Sequence, residues 1–290
     1  SLGARLLVFN RIPVSGGYAH SRSKYRVSSE IDQRVFLEST AYDGGVNIDT
    51  PRGSSLGLSF SIREYRYENL TLPGSQVPLS RSLDRTEKGI GVNFYLPVFS
   101  DGQFFASFGH TEYLFTETEG AFRDSTSYQS YLGIRFPILG RARGTIAGGY
   151  KKLLPREEGQ PGFSGFVANT DAEMRLGRFN LRILYVRDIP FSYGTAIFYI
   201  SNSYGGGLSL YLGQAVRIDY DYRYGRGDYP AGQEIDARRD IYESHSIGVV
   251  LRILRTTALG LRADIMERRS NQVSQNMNRT LVGAYLTYDF

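Results

Sequence analysis

The sequence has no cysteine, no tryptophan and only three histidines. Without cysteine there are no disulfides, thiolate metal sites or cysteine nucleophiles. The compartment stays open, although a chain that crosses an oxidising periplasm does well without thiols. A membrane helix needs roughly 18 consecutive apolar residues, and no such run occurs. That absence does not weigh against strands, which cross a bilayer with about ten alternating residues each. Helical periodicity over three turns is almost missing as well. Hydrophobic residues make up 41% of 290 and charged residues 22%, too little oil for a large dry core. The chain opens at Ser1 with no signal-peptide pattern, as expected of a mature or trimmed form.

What is plentiful is aromatic and glycine content: 22 Tyr, 17 Phe and 33 Gly. These residues fall in alternating runs. In 216–224, Val216, Ile218, Tyr220, Tyr222 and Tyr224 alternate with Arg217, Asp219, Asp221 and Arg223. A period of two is that of a strand with segregated faces. A soluble sandwich would turn the oily face to its core, and a transmembrane barrel would turn it to lipid.

The alternation predicts strands at 54–67, 87–98, 103–117, 126–138, 142–153, 164–176, 179–189, 196–212, 215–226, 239–254, 257–269 and 278–290. A further strand is expected at 32–45 and at least one more within 2–27. The connections also alternate. Short ones lie near 139–141, 177–178, 213–214 and 255–256, and long polar ones near 68–86, 118–125, 154–163, 227–238 and 270–277. Short turns at one end and long loops at the other are the pattern of an outer-membrane barrel. The connection at 190–195 is short for its position on the long side. In the last run Val282, Ala284, Leu286, Tyr288 and Phe290 share a face. A terminal aromatic on an alternating strand resembles the assembly signature of bacterial outer-membrane barrels.

The expected fold is therefore all-β, a closed antiparallel transmembrane up-and-down β-barrel of about 14 strands, or 16. It forms a single domain over 1–290, with 1–30 as an irregular N-terminal strand or an inward plug. Closure removes exposed strand edges. Tyr65, Tyr67, Tyr113, Tyr222, Tyr224 and Tyr288, near strand ends, are candidates for the interfacial aromatic girdles. Parity assigns to the lumen Arg63, Arg135, Arg143, Lys151, Arg182, Arg217, Asp219, Asp221, Arg223, Arg252, Arg262, Asp264, Arg268 and Arg279. Cations outnumber anions in that set, which points to attraction of anionic solutes. Cross-strand pairing would neutralise some of them. Fourteen strands fall between a filled barrel and a wide pore.

Sites of other kinds find little support. The net charge is +5, but the basic residues are scattered rather than clustered, which argues against nucleic acid. His245 has Ser244 and Ser246 beside it on the opposite face, so they cannot form a nucleophile–base pair. His110 shares a face with Glu112, the arrangement of an interfacial pair. Asp219 and Asp221 lie between Arg217 and Arg223, as ion pairs rather than an acid–base couple. Glu157, Glu158 and Asp171 are a loose calcium set. Gly205-Gly206-Gly207 sits inside a strand, so it is no phosphate loop. No catalytic residue, metal site or cofactor is expected.

The stretch Tyr185-Val186-Arg187-Asp188-Ile189-Pro190-Phe191-Ser192-Tyr193 precedes a Tyr/Ser/Gly-rich strand over 196–212. With Tyr-Arg-Tyr-Gly-Arg-Gly-Asp-Tyr ending at Tyr229, it resembles the β-barrel porins associated with exopolysaccharide secretion. The resemblance implies a Gram-negative outer-membrane location with the C-terminus toward the periplasm. It implies passage for polar or anionic solutes or for an exported polysaccharide, and no catalytic residues. The alternative is a plugged barrel that anchors a secretion or electron-transfer complex. Expected surroundings are outer-membrane lipid and lipopolysaccharide, with periplasmic partner proteins in the second case and no nucleic acid in either. The oligomeric state is left open.

Overall fold

A computed structural model describes residues 2–8, 12–25, 30, 34–71, 77–98, 102–138, 142–193, 196–231, 237–254 and 256–288. The strands are β1 (Leu2–Val8), β2 (Ile12–Tyr25), β3 (Val35–Asp49), β4 (Ser55–Tyr67), β5 (Arg85–Val98), β6 (Gly102–Phe115), β7 (Ser125–Ile138) and β8 (Ala142–Pro155). They continue as β9 (Phe163–Leu176), β10 (Phe179–Asp188), β11 (Ile200–Leu212), β12 (Val216–Tyr229), β13 (Arg238–Arg252), β14 (Thr257–Ser270) and β15 (Met277–Tyr288). One short helix, α1 (Leu79–Leu83), precedes β5. Among the described residues the 15 strands form one sheet in strict chain order, antiparallel at each step from β1–β2 to β14–β15.

The N-terminal region departs from expectation. Leu2–Val8 and Ile12–Tyr25 are two sheet strands, paired with each other and onward to β3, rather than one irregular strand or a plug. The terminal Phe290 lies outside the described residues. No ladder joins β15 back to β1 among the described residues. Both of these strands run in the same direction, so a direct seam between them would be parallel.

The expected asymmetry of the two ends is present. Connections 50–54, 139–141, 177–178, 213–215 and 253–256 lie at one end. Connections 68–84, 116–124, 156–162, 189–199, 230–237 and 271–276 lie at the other. Gly177 and Gly213 take φ of +57° and +67° in two of the short turns, a conformation that strains other residues. The 189–199 connection is longer than its sequence shows, because β11 begins at Ile200 and not near 196.

The sheet is rolled. Glu30, between β2 and β3, reaches Arg238 at the start of β13 at 2.9 Å. On a flat sheet those strands would lie roughly 48 Å apart. The register gives each face a consistent membership. The convex face carries Leu56, Leu58, Phe60 and Ile62 on β4, Leu132 and Ile134 on β7, Ile183 on β10, and Leu261 and Ile265 on β14, all exposed. Exposed oil covering the outer side of a rolled sheet is the reverse of a soluble sandwich.

This apolar face has defined margins. Toward the long connections it ends in a row of aromatics, Tyr42, Phe60, Tyr128, Tyr150, Phe166 and Tyr204, beyond which stand Glu64, Lys88, Glu112, Lys152, Arg187 and Arg226. Toward the short turns it ends in Phe94, Phe104, Phe136, Phe179 and Tyr288. From Tyr128 to Phe136 along β7 is about 26 Å, which projects to about 18–21 Å at the 35–45° tilt of outer-membrane strands, a little less than their roughly 25 Å apolar band. Of the tyrosines expected in the girdles, Tyr222, Tyr224 and Tyr288 are on this face. Tyr65, Tyr67 and Tyr113 are on the concave face instead, packed against chain folded inside.

Leu261→Arg is expected to abolish recovery of folded, heat-modifiable protein from detergent, since a cation at mid-band costs about 2–4 kcal/mol in a bilayer. Leu261→Phe is expected to fold normally. Equal recovery of the two variants would contradict the assignment of the faces.

Candidate functional site

The concave face contains the charged residues named by parity. The register puts Arg63, Arg135, Arg143, Lys151, Arg182, Arg217, Asp219, Asp221, Arg223, Arg252, Arg262, Asp264, Arg268 and Arg279 all on this side. Acids that the parity list omitted stand among them. Asp43 faces Arg63 at 3.7 Å, Asp171 holds Arg182 at 2.7 Å, Asp188 holds Lys151 at 2.9 Å, and Glu173 pairs with Arg143. Arg217–Asp219 and Arg262–Asp264 close at 2.9 Å each. Asp221 lies within Coulombic reach of both Arg182 and Arg262.

Six of the eleven cations in that set thus close on a carboxylate, which reduces the excess of positive charge expected from sequence without cancelling it. Arg268 bonds the Gln275 carbonyl at 2.6 Å, and Arg279 reaches the Met266 sulfur at 3.4 Å. Arg135 sits 5.9 Å from the Phe105 ring centre. Arg223 and Arg252 have no ion pair among the described residues. The glycine run in β11 makes room for this belt: a Cβ on Gly207 would lie 2.8 Å from Asp221 Oδ1.

At the long-connection end the interior is filled by the 189–199 segment, here termed the strap. It enters as Ile189-Pro190-Phe191-Ser192-Tyr193 and leaves as Ala196-Ile197-Phe198-Tyr199. The two arms pair: Ser192 N–H donates to the Ile197 carbonyl at 3.1 Å and Tyr199 N–H to that of Pro190 at 3.1 Å. Ile197 and Phe198 are each 2% exposed, a burial that contributes about 1.5–3 kcal/mol per side chain. They pack on Leu153 of β8 and on Phe163 and Val167 of β9. Tyr193 joins Val35, Leu37, Tyr67, Leu79 and Leu83. Ala196 and Tyr199 pack on Tyr229, with the two tyrosine rings stacked at 4.8 Å. Every hydrophobic cluster among the described residues thus includes part of the strap.

A carboxylate pins it. Glu30 accepts from Ser192 Oγ at 2.9 Å, from Tyr193 N–H at 2.8 Å and from Arg238 Nη2 at 2.9 Å. Arg238 also pairs with Asp240 at 3.2 Å and stacks on Tyr229 at 3.6 Å. Burial holds the Tyr193 and Tyr199 hydroxyls well above the usual tyrosine range, and at Tyr199 the Glu30 charge adds to this. Both remain neutral at ordinary pH. Beside the strap, Arg123 from the 116–124 connection gives Nη1 to the Ser82 carbonyl at 2.7 Å and lies over Phe122. Its burial lowers the guanidinium pKa to about 10, still charged at neutral pH.

Sequence reading did not find Glu30, Arg85, Glu87, Asp188, Arg238 or the strap. The signal was present: 189–199 is too oily for a solvated loop. The histidines assemble no nucleophile. His245 takes the Tyr220 hydroxyl at 3.0 Å on the convex face, while Ser244 and Ser246 point inward. His110 lies 4.9 Å from the Tyr128 ring, and Glu112 turns to Arg156 at 3.7 Å. Asp171 is taken by Arg182, and no cluster of three metal-capable side chains occurs among the described residues.

Phe198→Ala is expected to destabilise the docked strap by about 3–5 kcal/mol. The strap should then become cleavable by protease in detergent, with the sheet left intact. Resistance equal to that of the parent chain would show that the strap is held elsewhere.

No protein-family model matches the chain, and no curated protein matches it. Solved structures do resemble it in fold. The alcaligin outer-membrane receptor FauA from Bordetella pertussis is 13% identical, with a TM-score of 0.58 over 99% of this chain and 56% of its own. A chain in the complex of FpvAI with pyocin S2 is 10% identical, with a TM-score of 0.52 over 97% of this chain and 51% of its own. The chain spans about half the length of each. Neither is described as a porin of exopolysaccharide secretion. At these identities the likeness is one of fold: the antiparallel up-and-down sheet of an outer-membrane β-barrel.

Proposed function

We propose that the rolled sheet is the wall of a closed barrel in a Gram-negative outer membrane, and that it serves the passage of polar solutes. Three observations support the reading. The convex face is an apolar band bordered by aromatic rows. The concave face is lined by ion pairs. The fold is shared with an outer-membrane receptor. In lipid every strand edge must be paired, because an unmet N–H or C=O costs several kcal/mol there. A closed seam therefore accompanies the membrane reading. Lipid and lipopolysaccharide would surround the band, and the long connections would face outward from the cell.

The strap carries the functional part of the proposal. It lies across the interior and touches β4, β6, β8, β9 and β12, so any path through the barrel narrows there. The paired charges on the wall below favour small polar solutes and give only a weak preference for anions. Passage of a polymer would require the strap to leave. The second reading, a plugged barrel that anchors periplasmic partners, draws on the same strap if it never moves.

Conductance across planar bilayers separates the two. The parent chain is expected to give small ion currents. Glu30→Ala removes the acceptor shared by Ser192, Tyr193 and Arg238 and is expected to raise unit conductance several-fold. Silence from the parent, from Glu30→Ala and from a variant lacking 190–198 would defeat the transport reading and leave the anchor.

A further inference from the structure

Between the strap and β5, β6 and β8 lies a cleft of about 350 Å³, within the range of small-ligand sites. Its floor holds two ion pairs. Arg85 Nε meets Glu87 Oε1 at 2.8 Å, and Lys151 Nζ meets Asp188 Oδ1 at 2.9 Å. Its sides are aromatic. Phe191 meets the Tyr113 ring edge-on at 4.8 Å and 73°, and Tyr193 and Tyr199 complete the lining.

The charges sum to zero: two cations, each already bound to its own carboxylate. An anion entering the cleft would compete with Glu87 and Asp188 for their partners and be repelled by both. A cation would meet the converse problem with Arg85 and Lys151. Hydroxyl groups face neither conflict, because they can both donate and accept. Asp188 has 43% of its side chain exposed, and one of its oxygens already takes the Ile189 N–H at 2.7 Å. Arg85 is anchored further by the Tyr67 hydroxyl at 3.2 Å, so the polar floor is rigid. The electron-rich aromatic faces suit the C–H faces of a sugar ring.

We propose that this cleft is a binding station for an uncharged, polyhydroxylated solute such as a short saccharide. The proposal deepens the transport reading by naming a solute class, and it rests on that reading for its role in passage. The binding itself is a property of the folded chain in detergent.

Because the chain has no tryptophan, Phe191→Trp puts a single indole at the cleft. Titrating this variant in micelles with maltotriose is expected to give a saturable emission change, and inorganic phosphate to give none. Adding Glu87→Gln or Asp188→Asn should weaken maltotriose about tenfold, the loss of one hydrogen bond to a charged group. Unliganded emission reports whether each variant folds. Tyr113→Phe, which keeps the ring and removes one hydroxyl, supplies a milder probe with a several-fold loss expected. Saturation by phosphate alone, no response to either probe, or undiminished maltotriose binding in every folded variant would overturn the proposal. Binding of maltotriose by a chain silent in bilayers would defeat only the transport reading.

Discussion

The docked strap is the packing event on which the interior depends. A sheet that spends its oil on the convex face has little left to hold its concave side. Here that side is organised by the described residues of the connection between β10 and β11, which supply Ile189, Ile197 and Phe198 to one cluster, Tyr193 to a second, and Ala196 and Tyr199 to the third. These contacts join strands that the hydrogen-bond ladder keeps far apart. Glu30 reinforces the same connection by tying the β2–β3 segment to β13 through Ser192, Tyr193 and Arg238. The roll of the sheet is thus recorded in side-chain contacts as well as in strand twist.

The faces were legible in the sequence because a strand period of two leaves no freedom once one residue is placed. All the charged residues assigned by parity share the concave side, and Leu58, Leu132 and Leu261 share the other. Depth along the strand was less legible. Tyr65, Tyr67 and Tyr113 sit near strand ends, as girdle residues do, yet they point inward to meet Tyr193 and Phe191. Alternation along β4 sets Tyr65 and Tyr67 on the side of Arg63, but the faces of 103–117 were ambiguous, and nothing local says that chain will fold in above these tyrosines. The strap was missed for the same reason. Its Ala196-Ile197-Phe198-Tyr199 run has strand-like composition, so it reads as the start of β11. Only the Glu30 tether and the clusters around it, all distant in sequence, distinguish the two outcomes.

The charge on the concave face is a similar case of non-local information. A list of strand arginines read singly is electropositive. Asp43, Asp171, Glu173 and Asp188 belong to the same face but lie where alternation is weaker or near a strand end, so they escape a parity count. Their pairing with Arg63, Arg182, Arg143 and Lys151 changes the character of the wall. Exposed ion pairs of this kind add little stability, about 0–1 kcal/mol each. Their greater effect is electrostatic: each pair becomes a local dipole, so the face is less positive than its arginines alone would make it.

The same reasoning bears on the sheet's two edges. β1 and β15 run in one direction, and their backbone groups on the outer side have no ladder partner among the described residues. Exposed apolar side chains flank both edges, Leu2, Leu6 and Leu7 on one and Val282 and Leu286 on the other. An edge with that composition is an aggregation template in water and is not tolerated in hydrocarbon. The apolar band and the unpaired edges therefore impose one joint condition. If the convex face meets lipid, the ladder has to continue past β1 and β15, either as a parallel seam between them or through an intervening strand that restores antiparallel pairing. The strap is compatible with both, because its contacts run from the β3–β4 side to β12–β13 and leave the strands beside the seam, β1 and β15, free to adjust.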